Sequence, residues 1–155
     1  MRALTLLLSF FCFSAAFGSD EDALRKLVHD YADSVNRLDM KLAGEIWSQS
    51  EEVTFIQPRG HQKGWIQVRD HFYLGAMNNF SQRHLTVNNL NIRLLGDDAA
   101  WGEFYWEFYA TFKKDGQKIN SKGRETQVWN KVDGSWKIVH VHYSAMPVTG
   151  EREGF

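Results

Sequence analysis

The chain has 155 residues, a formal net charge of −1 and one cysteine. Its 18 basic and 19 acidic residues form no basic block that could neutralise a run of phosphates, so nucleic acid is not an expected partner. One cysteine leaves no partner for a disulfide, and the length suits a single domain.

The N-terminal residues have the pattern of a signal peptide. Met1 and Arg2 form a short positive region, the stretch "ALTLLLSFFCFSAA" is apolar, and small residues at Ala16 and Gly18 suit a signal peptidase. The apolar run is too short for a comfortable membrane span. We therefore expect a cleaved signal over residues 1–18, one domain over 19–147 and a tail over 148–155. The protein should be exported, periplasmic or secreted, and free of the membrane after cleavage.

Helical periodicity dominates the next part of the chain. An amphipathic helix capped by Ser19 is predicted from the apolar positions Leu24, Leu27, Val28, Tyr31, Val35 and Leu38. Asp39 caps a second, short helix, and a third begins at Trp65 and ends near Asn78. Between them, "VTFI" at residues 53–56 predicts a strand.

From His84 onward the apolar pattern has a period of two, with turns at "GDDA", "KKDG" and "KVDG". This pattern predicts an antiparallel meander of four long strands. Helices first and strands second, without repeats or a linker, predict an α+β domain whose helices cover one face of a curved sheet.

The strand from Trp101 to Phe112 has two unlike faces. One parity should face the helices and reads Phe104, Trp106, Phe108, Ala110 and Phe112. The other reads Trp101, Glu103, Tyr105, Glu107 and Tyr109. This second face is too aromatic for ordinary contact with water, and a large exposed aromatic patch indicates a partner surface. We expect a homodimer formed through it.

The register of the last hairpin decides which face carries its histidines. A two-residue turn pairs Gln127 with His140, whereas a three-residue loop with a bulge pairs Gln127 with Val139. The bulged register is preferred because it turns Val139 and Val141 toward the helices. His140 and His142 then lie on the outer face.

The predicted dimer interface consists of Tyr105, Tyr109, Arg124, His140 and His142. The two histidines could instead chelate a metal with a third ligand such as Glu107 or His84. No further cluster with ligand spacing supports a metal, and glycine-rich phosphate loops are absent from the sequence. We therefore expect no metal and no cofactor.

Two segments, "GDDAAWGEFYWEFYATF" and "ETQVWNKVDGSWKIVHVHYSAMP", resemble the nuclear transport factor 2-like superfamily. Within it, the chain is similar to SnoaL-like domains and to the association domain of calcium/calmodulin-dependent protein kinase II, over about residues 22–147. The resemblance implies a cone-shaped half-open barrel, in which N-terminal helices pack on the concave face of a curved antiparallel sheet around a pocket. Members serve as enzymes, binding modules or oligomerisation domains, so the fold alone implies no activity.

The resemblance also implies which residues line the pocket. Gln57 stands where ketosteroid-isomerase relatives place a carboxylate base, and an amide cannot take a proton from carbon. The pocket arginines of the kinase association domain appear here as Trp106, Gln127 and Tyr143. The pocket is therefore predicted to be aromatic, lined by Tyr31, Gln57, Trp65, Phe72, Phe104, Trp106, Phe108, Gln127 and Tyr143.

Two functions remain open from the sequence. The preferred one is a noncatalytic module that self-associates, as a homodimer or larger ring, and holds an unknown small apolar or aromatic molecule. The alternative is a cofactor-free SnoaL-like lyase or isomerase acting on a polyketide-like or steroid-like ring. In that enzyme Glu125 would be the general acid/base, because burial raises the pKa of a carboxyl, and Tyr31 or Tyr143 would steady an enolate oxygen.

Overall fold

The computed structural model describes residues 14–146, with side chains for residues 20–146. The predicted tail and residues 1–13 of the predicted signal lie outside this range. The helical elements are α1 (Ser14–Arg37), α2 (Met40–Ile46), α3 (Gly64–Gln67), a π-helical segment (Val68–Ala76) and a 3₁₀ turn (Met77–Asn79). The strands are β1 (Thr54–Gln57), β2 (Gly60–Lys63), β3 (Phe80–Leu94), β4 (Ala99–Phe112), β5 (Lys118–Val132) and β6 (Ser135–Ala145). No helix in this part of the chain is long and apolar enough to cross a bilayer.

The described strands form one six-stranded sheet in the order β2-β1-β6-β5-β4-β3. All neighbouring strands are antiparallel except β1 and β6, which run parallel. Helix α1 packs on β3 and also touches β6. The predicted α+β fold, with helices covering one face of a curved and mostly antiparallel sheet, is confirmed.

Helix α1 buries the face that its periodicity predicts, but it begins earlier than expected. Leu24, Val28, Tyr31 and Val35 are almost fully buried. The predicted cap at Ser19 is wrong, because the helix starts at Ser14 and runs through that position. The expected cap of α2 is confirmed, since the Asp39 side chain accepts a hydrogen bond from the backbone N–H of the third residue after it.

Asp20, near the start of α1, ties this helix to the last hairpin. Its carboxylate accepts hydrogen bonds from Lys131 Nζ and Trp136 Nε1, each at 2.9 Å. The hydrogen bond from Lys131, opposed by burial, lowers the pKa of Asp20. The Lys131 ammonium also lies 4.9 Å from the centre of the Trp136 ring.

The predicted third helix exists, but most of it is a π-helix rather than the α-helix that its spacing indicated. Gly75 lies five residues after Asp70, and a Cβ on Gly75 would stand only 3.0 Å from the Asp70 carbonyl oxygen. This wider turn allows two consecutive residues, Phe72 and Tyr73, to be buried together. The Tyr73 hydroxyl bonds to Ser34 Oγ at 2.9 Å and accepts from Trp47 Nε1 at 3.1 Å.

Strand β2 was not anticipated by the sequence pattern. Pro58 and Arg59 form the turn after β1, and Gly60 begins β2, which pairs antiparallel with β1. This hairpin continues the sheet past β6 and carries Arg59 at its tip.

Neither register considered for the last hairpin holds along its whole length: the two-residue alternative is correct from the turn to the pair Trp129 and Ile138, and both are wrong beyond that pair. Asp133 and Gly134, with φ of 49° and 76°, form a two-residue turn rather than the preferred three-residue loop. A bulge inside β6 then shifts the pairing, so Gln127 opposes Val141 and neither Val139 nor His140. Asp133 and Gly134 form a turn whose twist matches that of the two strands. The extra residue is accommodated by the bulge within β6.

From His140 onward the faces of this hairpin agree with the sequence analysis, but the expected inward direction of Val139 is wrong, because Val139 is the unpaired residue of the bulge and Ile138 is buried instead. His140 opposes Val128 and His142 opposes Thr126, all on the outer side of the sheet. Glu125 lies on the inner side, where it turns toward the helices. The bulge interrupts the alternation of β6, so Ile138 and Val141, three residues apart, are both buried.

Candidate functional site

A cavity of about 300 Å³ opens between α1, the π-helical segment and the inner face of the sheet. Its wall is mostly aromatic and aliphatic. The charged side chains that line it, among the described residues, are Glu125 and Arg59. A mainly apolar concave site with a few convergent polar groups is typical of small-molecule sites.

The predicted pocket residues divide into two groups in the structure. Those that line the cavity are Tyr31, Gln57, Phe72, Trp106, Phe108 and Tyr143. Trp65, Phe104 and Gln127 are instead buried in the core behind the wall. Trp65 packs on Trp47, with ring centres 6.2 Å apart, so its bulk supports the wall without reaching the cavity.

The sequence analysis missed several wall residues. The rim includes Arg59, whose position depends on the unpredicted β1–β2 hairpin. The apolar wall also includes Val35, Met77, Phe80, Leu85, Phe112 and Ile119. The inward direction of some of these side chains could have been predicted from the period-two pattern of β3 through β5 and, for Val35, from its helical face. No sequence pattern indicated which part of the inner face remains uncovered and forms the cavity.

Polar side chains form a hydrogen-bonded line along β5. Glu125, Gln127 and Trp129 occupy alternate positions of this strand and therefore share its inner face. Gln127 Nε2 donates to Glu125 Oε1 at 2.7 Å, and Trp129 Nε1 donates to Gln127 Oε1 at 2.9 Å. Glu125 is only 4% exposed and is the member of this line that reaches the cavity.

Burial dominates the electrostatics of the cavity. It raises the pKa of Glu125 to about 8, although interactions with Gln127 and Tyr31 act in the opposite direction. Burial, followed by the nearby Glu125 charge, holds the pKa of Tyr31 well above its usual value. Burial also raises the pKa of Tyr143 to about 12, with Glu125 adding to the effect and Arg59 opposing it.

These groups give the inner end of the cavity a definite chemistry. At neutral pH the Glu125 carboxyl is mostly protonated and the tyrosine hydroxyls are neutral. The Tyr143 hydroxyl donates to Gln57 Oε1 at 2.9 Å. The inner end of the cavity can therefore exchange hydrogen bonds or a proton with a ligand through uncharged groups, whereas Arg59 supplies a positive charge at the rim.

The predicted interface residues lie together on the opposite, outer face of the sheet. Tyr105 and Tyr109 are 46% and 47% exposed, and Arg124 is paired directly beside Tyr105. His142 is exposed, whereas His140 is partly buried and its Nδ1 lies 2.6 Å from Thr54 Oγ1, within hydrogen-bond distance.

Burial, reinforced by the neighbouring His142 and His61, lowers the pKa of His140. Across residues 20–146, no three His, Cys, Asp or Glu side chains gather in the arrangement of a metal site.

The fold is that of the nuclear transport factor 2-like superfamily. A protein of this superfamily from Salmonella enterica serovar Typhimurium is 37% identical with a TM-score of 0.82, and the alignment covers 90% of this chain and 99% of that one. Residues 24–147 match the family described as the calcium/calmodulin dependent protein kinase II association domain, and the chain belongs to this family. The resemblance inferred from the sequence is confirmed.

Two further relatives show how far the similarity extends. A calcium/calmodulin-dependent protein kinase type II from Caenorhabditis briggsae is 35% identical over 78 residues, which cover 50% of this chain but 14% of that protein. Hexachlorocyclohexane dehydrochlorinase LinA-type3 from Novosphingobium barchaimii has a TM-score of 0.77 at 15% identity, covering 92% of this chain and 97% of the other. At this identity the second similarity concerns the fold alone.

Proposed function

We propose that this chain is an exported domain that self-associates through the outer face of its sheet and holds a small, largely apolar ring-type molecule in its cavity. The observation that carries this proposal is the cavity itself, with aromatic walls and a buried acid at its inner end. The apolar N-terminal stretch supports export to the periplasm or the medium.

The wall favours flat, hydrophobic ligands. Trp106 and Tyr143 meet edge to face, with ring centres 5.6 Å apart, and Phe72 and Phe108 also line the space. Such rings offer large apolar area and prefer offset or edge contacts with another ring. Polar groups are confined to a few positions, which suits a ligand with one polar end.

Self-association is supported by the outer face of the sheet and by membership of a family of association domains. Two large tyrosine side chains stay half exposed on β4, next to acidic and basic neighbours. Tyrosine and arginine are enriched in protein interfaces, where aromatic area can be buried without leaving polar tips unpaired. We propose that a second copy of the chain covers Tyr105 and Tyr109, with Arg124, His140 and His142 at the same contact.

Replacing Tyr105 with arginine is expected to weaken this contact at least tenfold, because it places a charge at the centre of the interface. Native mass spectrometry and sedimentation velocity of the purified protein would show dimers or larger rings for wild type and a shift to monomer for the variant. Leu74→Arg is the matched control, since Leu74 is 44% exposed on the helical side. A monomeric wild type, or equal dissociation of both variants, would contradict the proposed interface.

A second candidate function is supported by Glu125. A carboxyl inside an apolar cavity with a pKa of about 8 is suited to general acid/base catalysis near neutral pH. The proposed reaction class is proton transfer at a carbon of a ring substrate, as in a cofactor-free lyase or isomerase. Tyr31 faces the same carboxyl and would hold the developing oxygen anion.

This enzyme would exchange the acidic C2 protons of 1-tetralone for deuterium in heavy water, a reaction that NMR follows directly. The exchange rate should rise with pH and level off above about pH 8, as Glu125 loses its proton and becomes a base. Glu125→Gln should lower the rate about 100-fold or more. The enzymatic proposal fails if wild type is no faster than the variant.

A further inference from the structure

We propose that pH controls the self-association of this domain, because the outer face of its sheet carries a group of histidines that must stay uncharged when a second copy covers them. This inference rests on the self-association proposed above and adds how that contact is regulated. The domain would be associated in neutral surroundings and would dissociate in acidic ones.

The outer face of the sheet holds four of the six histidines of the chain. Residues that pair directly across neighbouring strands point to the same side of a sheet. His61 and His142 both pair with Ile56, so they form one row across β2, β1 and β6. His140 lies two residues before His142 on the same side, and His84 lies on β3 at the other edge of the face.

Three of these histidines are close enough to repel one another when charged. His140 and His142 are two residues apart on one strand, or about 7 Å, and His61 lies two strands from His142, or about 10 Å. Both separations are within about one Debye length at about 0.1 M salt, so such charges are only partly screened. In agreement, burial followed by the neighbouring His142 and His61 lowers the pKa of His140.

The fixed charges on this face also oppose protonation of the histidines. Positive side chains outnumber carboxylates on the outer side of the described strands. The positive ones include Lys63 on β2, Lys118, Lys122 and Arg124 on β5, and Arg93 on β3. On the same side the carboxylates of the described strands are Glu103 and Glu107, and Glu107 is already paired with Lys122 at 3.0 Å. A protonated histidine here therefore meets mainly like charges.

A second copy over this face would add two further costs to a charged histidine. In the free protein His61, His84 and His142 are exposed, and water solvates their charged form. Covering them removes this water, and a two-fold contact brings the same positive groups of the other copy to the same interface.

The sign of the pH dependence follows from these costs. Protonation is disfavoured in the associated protein, so association at acidic pH must release protons. The contact is therefore at full strength where histidine is neutral. It weakens as the pH falls through the range in which histidine takes up a proton, roughly pH 8 to 5.

Sedimentation equilibrium of the purified protein at about pH 8 and about pH 5.5 tests this inference. Each proton that must be released costs about a factor of ten per pH unit, and a two-fold contact contains every histidine twice. Wild type should therefore associate at least about 100-fold more weakly at the lower pH. Raising the salt from about 0.05 M to about 0.5 M should strengthen association more at the lower pH than at the higher, because salt screens like charges.

Histidine variants on the two sides of the molecule identify the groups responsible. The double variant His61→Gln, His142→Gln keeps polar but uncharged side chains on the outer face. Its loss of association between the two pH values should be at least about tenfold smaller than that of wild type. His29→Gln with His71→Gln is the matched control, because both side chains are exposed but lie on α1 and the π-helical segment. The control should keep the wild-type pH dependence, and circular dichroism would verify folding at each pH.

The outcomes distinguish this inference from the proposed function. Association of wild type that is equal at both pH values, or stronger at the lower one, would overturn control by pH while leaving self-association intact. A pH dependence that the outer-face variant retains in full, or that the control variant loses equally, would also overturn it. A wild type that is monomeric at both pH values would overturn the proposed self-association and this inference together.

Discussion

Replacing Gly123 with alanine is expected to lower the free energy of unfolding by about 3 kcal/mol, because β5 has no room for a side chain there. A Cβ at this position would lie 2.2 Å from Trp106 Cζ2 and 2.2 Å from the Ser144 carbonyl oxygen. One contact is with a buried indole and the other with the backbone of β6, so neither neighbour can move without disturbing the sheet or the cavity wall. Urea unfolding followed by tryptophan fluorescence would measure the change.

Gly44→Ala is the matched control for this substitution. Gly44 lies in α2, and a Cβ there would meet nothing within 4 Å. Alanine should stabilise this helix by about 0.5–1 kcal/mol, since it loses less conformational freedom on folding than glycine. If Gly123→Ala were also neutral or stabilising, Trp106 would not be packed against β5 as described.

The fold could be predicted largely because its signals are local and repeated. Tyr31 and Val35 follow the spacing of an amphipathic helix, and Phe104 and Phe108 follow the alternation of a strand with one buried face. Each pattern contains several residues that agree, so a single exception does not change the assignment.

The errors occurred where one residue decides the geometry. The bulge in β6 depends on Val139 alone, and the apolar pattern tolerates several registers around it. The π-helix depends on a wider turn ending at Gly75, which has no distinctive spacing in the sequence. The start of α1 was predicted wrongly because serine is a common N-cap residue, whereas Ser19 lies inside the helix.

The site was harder to predict than the fold, because a cavity lies where the side chains of different elements do not pack against one another. Burial of Glu125 could be anticipated from strand parity, but the separation of wall residues from core residues such as Trp65 depends on how the helices pack on the sheet. The position of Arg59 depends on a parallel pairing between β1 and β6, and pairing between distant segments leaves no local pattern. The sequence therefore predicted which side chains lie on the inner face of the sheet, but it did not predict which of them line the cavity.

The buried acid should make the stability of the protein depend on pH in the direction opposite to that of an ordinary paired carboxylate. Burial raises the pKa of Glu125 from 4.5 to about 8, so the folded state binds more protons than the unfolded state between these values. Its contribution to stability is fully present below pH 4.5 and is lost as the pH rises through 8. The free energy of unfolding should therefore decline across this window.

Glu125→Gln should remove this decline, because an amide does not ionise. We expect the variant to gain on the order of 3 kcal/mol over wild type at about pH 8, and much less at about pH 4. Denaturant unfolding at several pH values measures the difference, with Glu103→Gln as a control on the exposed face of β4, where it should change stability by less than about 0.5 kcal/mol. Parallel stability curves for wild type and Glu125→Gln would mean that the carboxyl is ionised in the folded protein. The raised pKa that suits Glu125 to general acid/base catalysis would then be absent.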